Sequence, residues 1–265
     1  MIVGVDHLAL SCDDVDAAGV LLRASGYREA FVERDLPNSE VKGPFVHELH
    51  ATHSIAYYEA DGGTPVELTN YGGPVSDAPA HYSALVAAPT GESAAGDGWG
   101  AVWEAAGYGR AAAYEWPGLG ATVWAVEDAG APAVRAVLSP AHDVDRATGF
   151  WRDAVGLRLA AEGSTENRRW ARVELAGPVP GWGLGLVVAE GAPRPDARLD
   201  DRGFACLGLL CTSLERDGAR LLAGGAVETS GRFDVTVHGR PLAVAFFRGP
   251  DGELIELIEV RRNVG

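Results

Sequence analysis

Lysine is almost absent from this sequence. Lys42 is the only one, which reads as the codon usage of a GC-rich genome and carries no mechanistic message. Cysteine is sparse as well: Cys12, Cys206 and Cys211 form an odd set inside apolar runs. That is the usage of a reducing compartment rather than of a disulfide framework. Positive charge is short, with 22 Lys and Arg against 37 Asp and Glu and a net charge of −15. Nucleic acid and anionic membrane surfaces are therefore poor partners, because phosphates are bound by clustered cations. No apolar run approaches the length of a membrane span. No basic segment followed by an apolar stretch precedes the opening strand MIVGVDHLAL, so no secretion signal is expected and a cytoplasmic location is.

What is present is a large apolar fraction, 47%, enough for a sizeable core. It is organised as a repeat. Residues 14–30, DVDAAGVLLRASGYREA, align with residues 143–161, DVDRATGFWRDAVGLRLAA. Both open on an Asp suited to cap a helix, carry apolar residues at helical spacing and stop at a Gly. A short apolar strand precedes each, VGVDHLAL and AVRAVLS. The halves are read as copies with a boundary near Ala129–Pro132. Each half divides again. After Gly72–Gly73–Pro74 the pattern recurs as HYSALVAAP, Thr90, a helix over roughly 92–106 and Gly107. In the second half it recurs as FACLGLLC, Ser213 and LERDGARLLAGG. Period-2 strands with Gly/Pro turns follow each helix, so four βαβββ units are expected.

The phrase VDHLALSCDDVDAA and the closing AFFRGPDGELIELIEV resemble the vicinal oxygen chelate superfamily. That group includes glyoxalase I, extradiol dioxygenases, methylmalonyl-CoA epimerase and the bleomycin- and fosfomycin-resistance proteins. The resemblance implies an α+β fold in which two βαβββ units pair into a cup-shaped mixed sheet. Two such domains are expected, residues 1–130 and residues 131–265.

The resemblance also implies that metal ligands come from the first and last strand of each unit. Glu256 stands four residues after the turn glycine Gly252, and Glu67 four after Gly63. The same count gives Trp124 after Gly120, and Gly185 or Val187 after Gly181 or Gly183. First-strand positions read His7, His81, Ala136 and Cys206. The first half thus offers His7, Glu67 and His81 as a metal set, and the second is expected to be metal-free. Read singly, a strand histidine is a structural or surface residue; matching positions in a repeat raise the metal reading. Glu256 reads as a retained structural carboxylate, and Cys206 as a small buried hydrophobe. Two imidazoles and one carboxylate suit Fe(II) first, with Zn, Mn, Ni and Co open.

With Gly62–Gly63 as a two-residue turn, Tyr58 falls opposite Glu67, as a hydroxyl that orients it or donates a proton; a slip of one residue puts Tyr57 there. His47, His50 and His53 cluster in VHELHATHSIAYY. They read as solvated loop residues, or, for His47 or His50, as a proton shuttle; His53 is expected to point away from the cup. The seven Trp read mostly as core or interface. Trp124, at a ligand position, offers a flat wall for an aromatic or polycyclic substrate.

The function expected is that of a metal-dependent enzyme. Its metal would chelate adjacent oxygens of a small molecule and stabilise an enolate-like anion, as an oxygenase, isomerase or lyase. The competing expectation is a metal-free binder of the bleomycin-resistance type. A monomer or a homodimer is expected.

Overall fold

The computed structural model describes residues 1–88, 99–116, 119, 121–127, 133–175 and 183–260. The expected cap Thr90, the turn glycines Gly120 and Gly181, Trp182 and the boundary Ala129–Pro132 lie outside them.

Four units follow one another. The first holds β1 (Ile2–Ser11), α1 (Val15–Ala24), β2 (Arg28–Pro37), a 3-10 helix (Glu40–Phe45), β3 (Thr52–Glu59) and β4 (Val66–Asn70). After a short β5 (Ser76–Pro79) come β6 (Ser83–Ala88), α2 (Trp99–Ala105), β7 (Ala111–Trp116) and β8 (Ala121–Glu127). The third holds β9 (Val134–Ala141), α3 (Val144–Gly149) running into a π-helical turn (Phe150–Val155), β10 (Arg158–Ser164), β11 (Arg169–Leu175) and β12 (Leu184–Glu190). The fourth holds β13 (Asp201–Cys211), α4 (Leu214–Ala223), β14 (Glu228–Thr229), β15 (Phe233–Val237), β16 (Arg240–Arg248) and β17 (Leu254–Val260).

The helix starts follow from local chemistry. Asp14 accepts from the N–H groups of Asp16 and Ala17 at 2.8 and 3.1 Å. Asp143 caps α3 through Arg146 N–H at 3.0 Å, and Ser213 caps α4 through Arg216 N–H at 3.3 Å. Each bond satisfies an amide that the first helical turn leaves without a partner. Gly156 closes the third unit's helix in the left-handed conformation, φ 97°, which glycine adopts without steric cost.

The sheets join units differently from the sequence expectation. One sheet runs β14-β16-β17-β13-β1-β4-β3-β2, with β15 on β16 and β5 on β13. The other runs β10-β11-β12-β9-β6-β8-β7. Unit one therefore pairs with unit four, and unit two with unit three. At each centre two first strands run antiparallel, β1 against β13 and β6 against β9. Connection length supplies the reason. Only six residues separate the end of β8 from the start of β9, and consecutive elements usually stay together in space. The longer segments 71–82 and 191–200 carry the chain from one sheet to the other. They are tied by the β5–β13 ladder and by a bridge between Tyr82 and Phe204.

A core cluster joins the sheets. Leu8 and Leu68 of the first meet Val137 and Leu186 of the second, with Leu22 of α1, Leu221 of α4 and Trp151. Period-2 alternation assigns the other faces. In β16, Ala245 and Phe247 enter that core, whereas Val244 and Phe246 face away into a separate cluster with Ala9 and Cys206. Those outward faces are the two cups.

Candidate functional site

The register fixes which side chains meet in the first cup. His7 pairs across the central seam with Gly208, and Ala9 with Cys206. Glu67 lies beside Ala9 in the β1–β4 ladder, and Glu256 beside Gly208 in the β13–β17 ladder. A pseudo-twofold axis at the seam thus relates His7 to Cys206 and Glu67 to Glu256. Their neighbours Leu8, Val66, Leu68, Leu207, Ile255 and Leu257 all belong to the shared core. Alternation therefore turns all four residues into the cup.

Three of them converge. His7 Nε2 stands 3.3 Å from Oε2 of Glu256 and 3.8 Å from Oε1 of Glu67. His7 is buried, and its Nδ1 lies 2.8 Å from an Asp6 carboxylate oxygen. A break in register between Val5 and His7 lets the consecutive residues Asp6 and His7 serve one site. The Asp6 carboxylate accepts the Nδ1 proton, so the lone pair of Nε2 faces two carboxylates. Nε2 is accordingly a buried atom without a hydrogen-bond partner among the described residues. Burial pushes the imidazole down, but Glu67, Asp6 and Glu256 carry its pKa well above the ordinary value. Burial raises Glu67 too, against the pull of His7 and with the push of Glu256. Cys206 is raised by burial and then by the same two glutamates, which keeps it a thiol.

An acceptor aimed at two anionic acceptors is a donor set that fits a cation. A divalent metal meets that need, as does a proton on Nε2. Among the described residues, no three His, Cys, Asp or Glu side chains form a ready-made metal cluster.

The expected set His7, Glu67 and His81 is therefore not what the fold brings together. His81 lies just before β6 in the other sheet, with Nε2 2.8 Å from Ser139 Oγ. Burial, with Arg194 and Arg248, lowers its pKa to about 3, so it stays neutral. The register puts Ser83, not His81, at the position matching His7. Leu85 pairs with both Ala136 and Trp124, as Ala9 pairs with Cys206 and Glu67. The second cup's four equivalent positions are then Ser83, Trp124, Ala136 and Val187, which offer neither imidazole nor carboxylate. That cup is packed with Trp103, Trp124, Trp170, Leu138 and Val187. Trp124 is thus a core residue there and lies in a different sheet from His7.

Tyr58 is also displaced. Tyr57 pairs with Glu67, and Tyr58 with Val66, the one-residue slip that remained open in the sequence. Tyr58 faces α1, donating to Glu29 at 3.0 Å and accepting from Arg23 at 3.0 Å. Tyr57 lines the cup and donates to the Asp6 carbonyl at 2.6 Å. Burial, then Asp6 and Glu67, raises its pKa, so it remains a hydroxyl. The same slip brings His53 onto the cup face, where it stacks on Tyr71 at 6.4 Å. His50 packs against Gly72 and Gly73, and its nearest carboxylate is Glu48 at 4.0 Å. It does not reach the His7 group. His47 is a brace: its N–H donates to Asp200, and Nε2 lies 2.8 Å from Asp201.

Beside His7, Glu67 and Glu256 opens a cavity of about 460 Å³, walled by Phe31, Tyr57, Val235, Val237, Leu242 and Ile258 among others. Phe31 stacks between Tyr57 and His238, with centroids at 5.3 and 5.0 Å. His238 also donates its N–H to Glu33 at 2.9 Å. That stack and bond clasp the arms of units one and four across the cavity.

Comparison with known proteins agrees with this architecture. Residues 133–257 match the model of the Glyoxalase/Bleomycin resistance protein/Dioxygenase superfamily. No curated protein matches the sequence. The V278E mutant of glyoxalase I from Zea mays is similar in structure at 14% identity, with a TM-score of 0.63 over 97% of this chain and 92% of that one. A putative dioxygenase from Bacillus subtilis subsp. subtilis str. 168 is similar at 13% identity, with a TM-score of 0.56 over 98% and 86%. Residues 133–257 thus match the glyoxalase/bleomycin resistance protein/dioxygenase superfamily by sequence, and the chain along its whole length is similar in fold to these two structures.

Proposed function

We propose that the chain is a metal-dependent enzyme whose one working site lies in the first cup, where His7, Glu67 and Glu256 hold a divalent ion. The observation that carries the reading is the orphaned Nε2 of His7 between two carboxylates. Asp6 fixes the imidazole by accepting its Nδ1 proton, the support that metal-bound histidines generally have. Thr69 donates to Glu67 Oε1 at 3.1 Å and orients that carboxylate. Tyr57 secures the backbone of Asp6 and so the bulge that aims both residues. One imidazole with two carboxylates is a harder set than two imidazoles with one, which suits Fe(II) or Mn(II), with Zn(II), Ni(II) and Co(II) as further occupants. Bound there, the ion would supply Lewis acidity to adjacent oxygens of a substrate, favouring enolate-like charge, in an oxygenase, isomerase or lyase reaction.

The cavity is of the size that small-molecule sites have. Its walls combine apolar side chains with Glu59 and Arg240, and the stack of Phe31, Tyr57 and His238 offers flat surface to a small or polycyclic oxygenated substrate. The second cup, filled by its own side chains, serves as scaffold.

Metal analysis tests the reading. Metal-free protein is expected to take up one divalent ion per chain, and His7→Ala to take up none. Wild-type protein that binds no divalent ion at neutral pH sinks it.

A further inference from the structure

The chain's only lysine is not a surface residue. Lys42 sits in the 3-10 helix Glu40–Phe45 with 7% of its surface exposed. Phe45, three residues on, accepts an N–H from Leu199 at 2.7 Å and packs on Phe246 with centroids 6.0 Å apart. The helix is thereby pinned over the deep end of the first cup, and Lys42 is driven inward.

Its ammonium has an unusual cage. Nζ lies 5.9 Å from the ring centre of Tyr71 and 5.8 Å from those of Phe233 and Phe246. These π faces attract a cation without taking its protons. Nζ is also 3.4 Å from Nε2 of His53. His53 Nδ1 is 3.0 Å from the Leu36 carbonyl, so it carries the proton, and Nε2 is left as the acceptor. Burial, and then Lys42 itself, lowers the His53 pKa to about 3, which keeps that acceptor neutral. Burial pushes the amine down, while Glu256, Glu67 and Cys206 support its charged form. The two glutamates belong to the candidate metal centre. Among the described residues, no carboxylate oxygen lies within ion-pair distance of Nζ. Phe246, one wall of the cage, pairs with Glu256 across β16 and β17, so the ammonium stands next to the site without bonding its carboxylates.

We infer that Lys42 is the resident cation of this site, positioned to act on the metal through space rather than to ligate or pair with its carboxylates. This rests on the metal reading above. Asp6, Glu67 and Glu256 bring three carboxylates to the pocket, and the Lys42 ammonium offsets part of their charge before a divalent ion arrives. Without Lys42 the same ion leaves a net negative pocket that holds it more tightly, because like charges repel strongly in a buried site. Lys42 therefore keeps the ion exchangeable and leaves the loaded site receptive to an anionic oxygen.

A single lysine makes the test direct. Protein labelled with ¹⁵N at the lysine side chain gives one Nζ signal. It is expected to shift on titration with Zn²⁺, with the midpoint that calorimetry gives for the ion. Lys42→Met is expected to bind Zn²⁺ at least tenfold more tightly than wild type. If that variant does not fold, the Nζ signal of the wild type decides alone. Zn²⁺ bound with an unmoved Nζ signal, or bound no more tightly by folded Lys42→Met, overturns this inference and leaves the metal reading standing. No Zn²⁺ uptake by the wild type overturns both.

Discussion

Nε2 of His7, in β1, stands 3.3 Å from Oε2 of Glu256, in β17. The first and fourth units thus build one site, and neither carries it alone. Everything proposed about chemistry depends on that juxtaposition, which the antiparallel seam of β1 and β13 creates.

Tyr57 and Tyr58 are neighbours with opposite assignments. Tyr57→Phe removes the bond to the Asp6 carbonyl and is expected to cost about 1 kcal/mol of stability. It should also weaken metal binding several-fold, since Asp6 then holds His7 less firmly. Tyr58→Phe should leave metal affinity unchanged, because its hydroxyl bonds Glu29 and Arg23 behind the sheet. Titration calorimetry on both variants decides; a larger metal effect at Tyr58 contradicts the register.

The second cup is expected to behave as core. Trp103→Ala and Trp124→Ala remove buried indoles and should each cost roughly 3–5 kcal/mol. Trp124→Ala should bind metal with wild-type stoichiometry. Denaturant melts give the first quantity and metal analysis the second. A Trp124→Ala protein of unchanged stability would show that the side chain is not packed as described.

Acid should destabilise the fold through His81. Its folded pKa is lowered to about 3 from an ordinary 6.5, so below 6.5 the unfolded chain binds a proton that the folded one refuses. Its contribution is complete above pH 6.5 and falls as pH drops toward 3, by at most about 1.4 kcal/mol per unit. His81→Gln is expected to flatten that limb in chemical denaturation between pH 4 and 6.5. A limb of unchanged steepness would mean that His81 is not buried neutral.

Much of this was legible in the sequence. The capping aspartates Asp14 and Asp143 and the four units follow from local pattern, and the α+β class from the resemblance those units carry. Counting from a turn glycine also placed Glu67 and Glu256 at matching strand positions, although the sequence alone read Glu256 as a structural carboxylate and gave it no part in a metal set. Which units share a sheet was not legible, since that depends on contacts between distant strands and on how far the connections reach. Counting also failed at His81, where the register places Ser83, and at Tyr58, where a single-residue slip reverses the face. Lys42 was invisible for another reason. Composition alone makes a solitary lysine look like codon bias, and only the packing of the 3-10 helix shows where it goes.

The central claim is that one cup, built by both ends of the chain, holds the metal. A crystal of the protein soaked in Mn²⁺ tests it most directly through its anomalous difference map. One strong peak is expected at coordination distance from His7 Nε2 and from oxygens of Glu67 and Glu256. A peak beside His81 or at a surface site instead, or a map without any peak from protein that binds Mn²⁺ in solution, would contradict it.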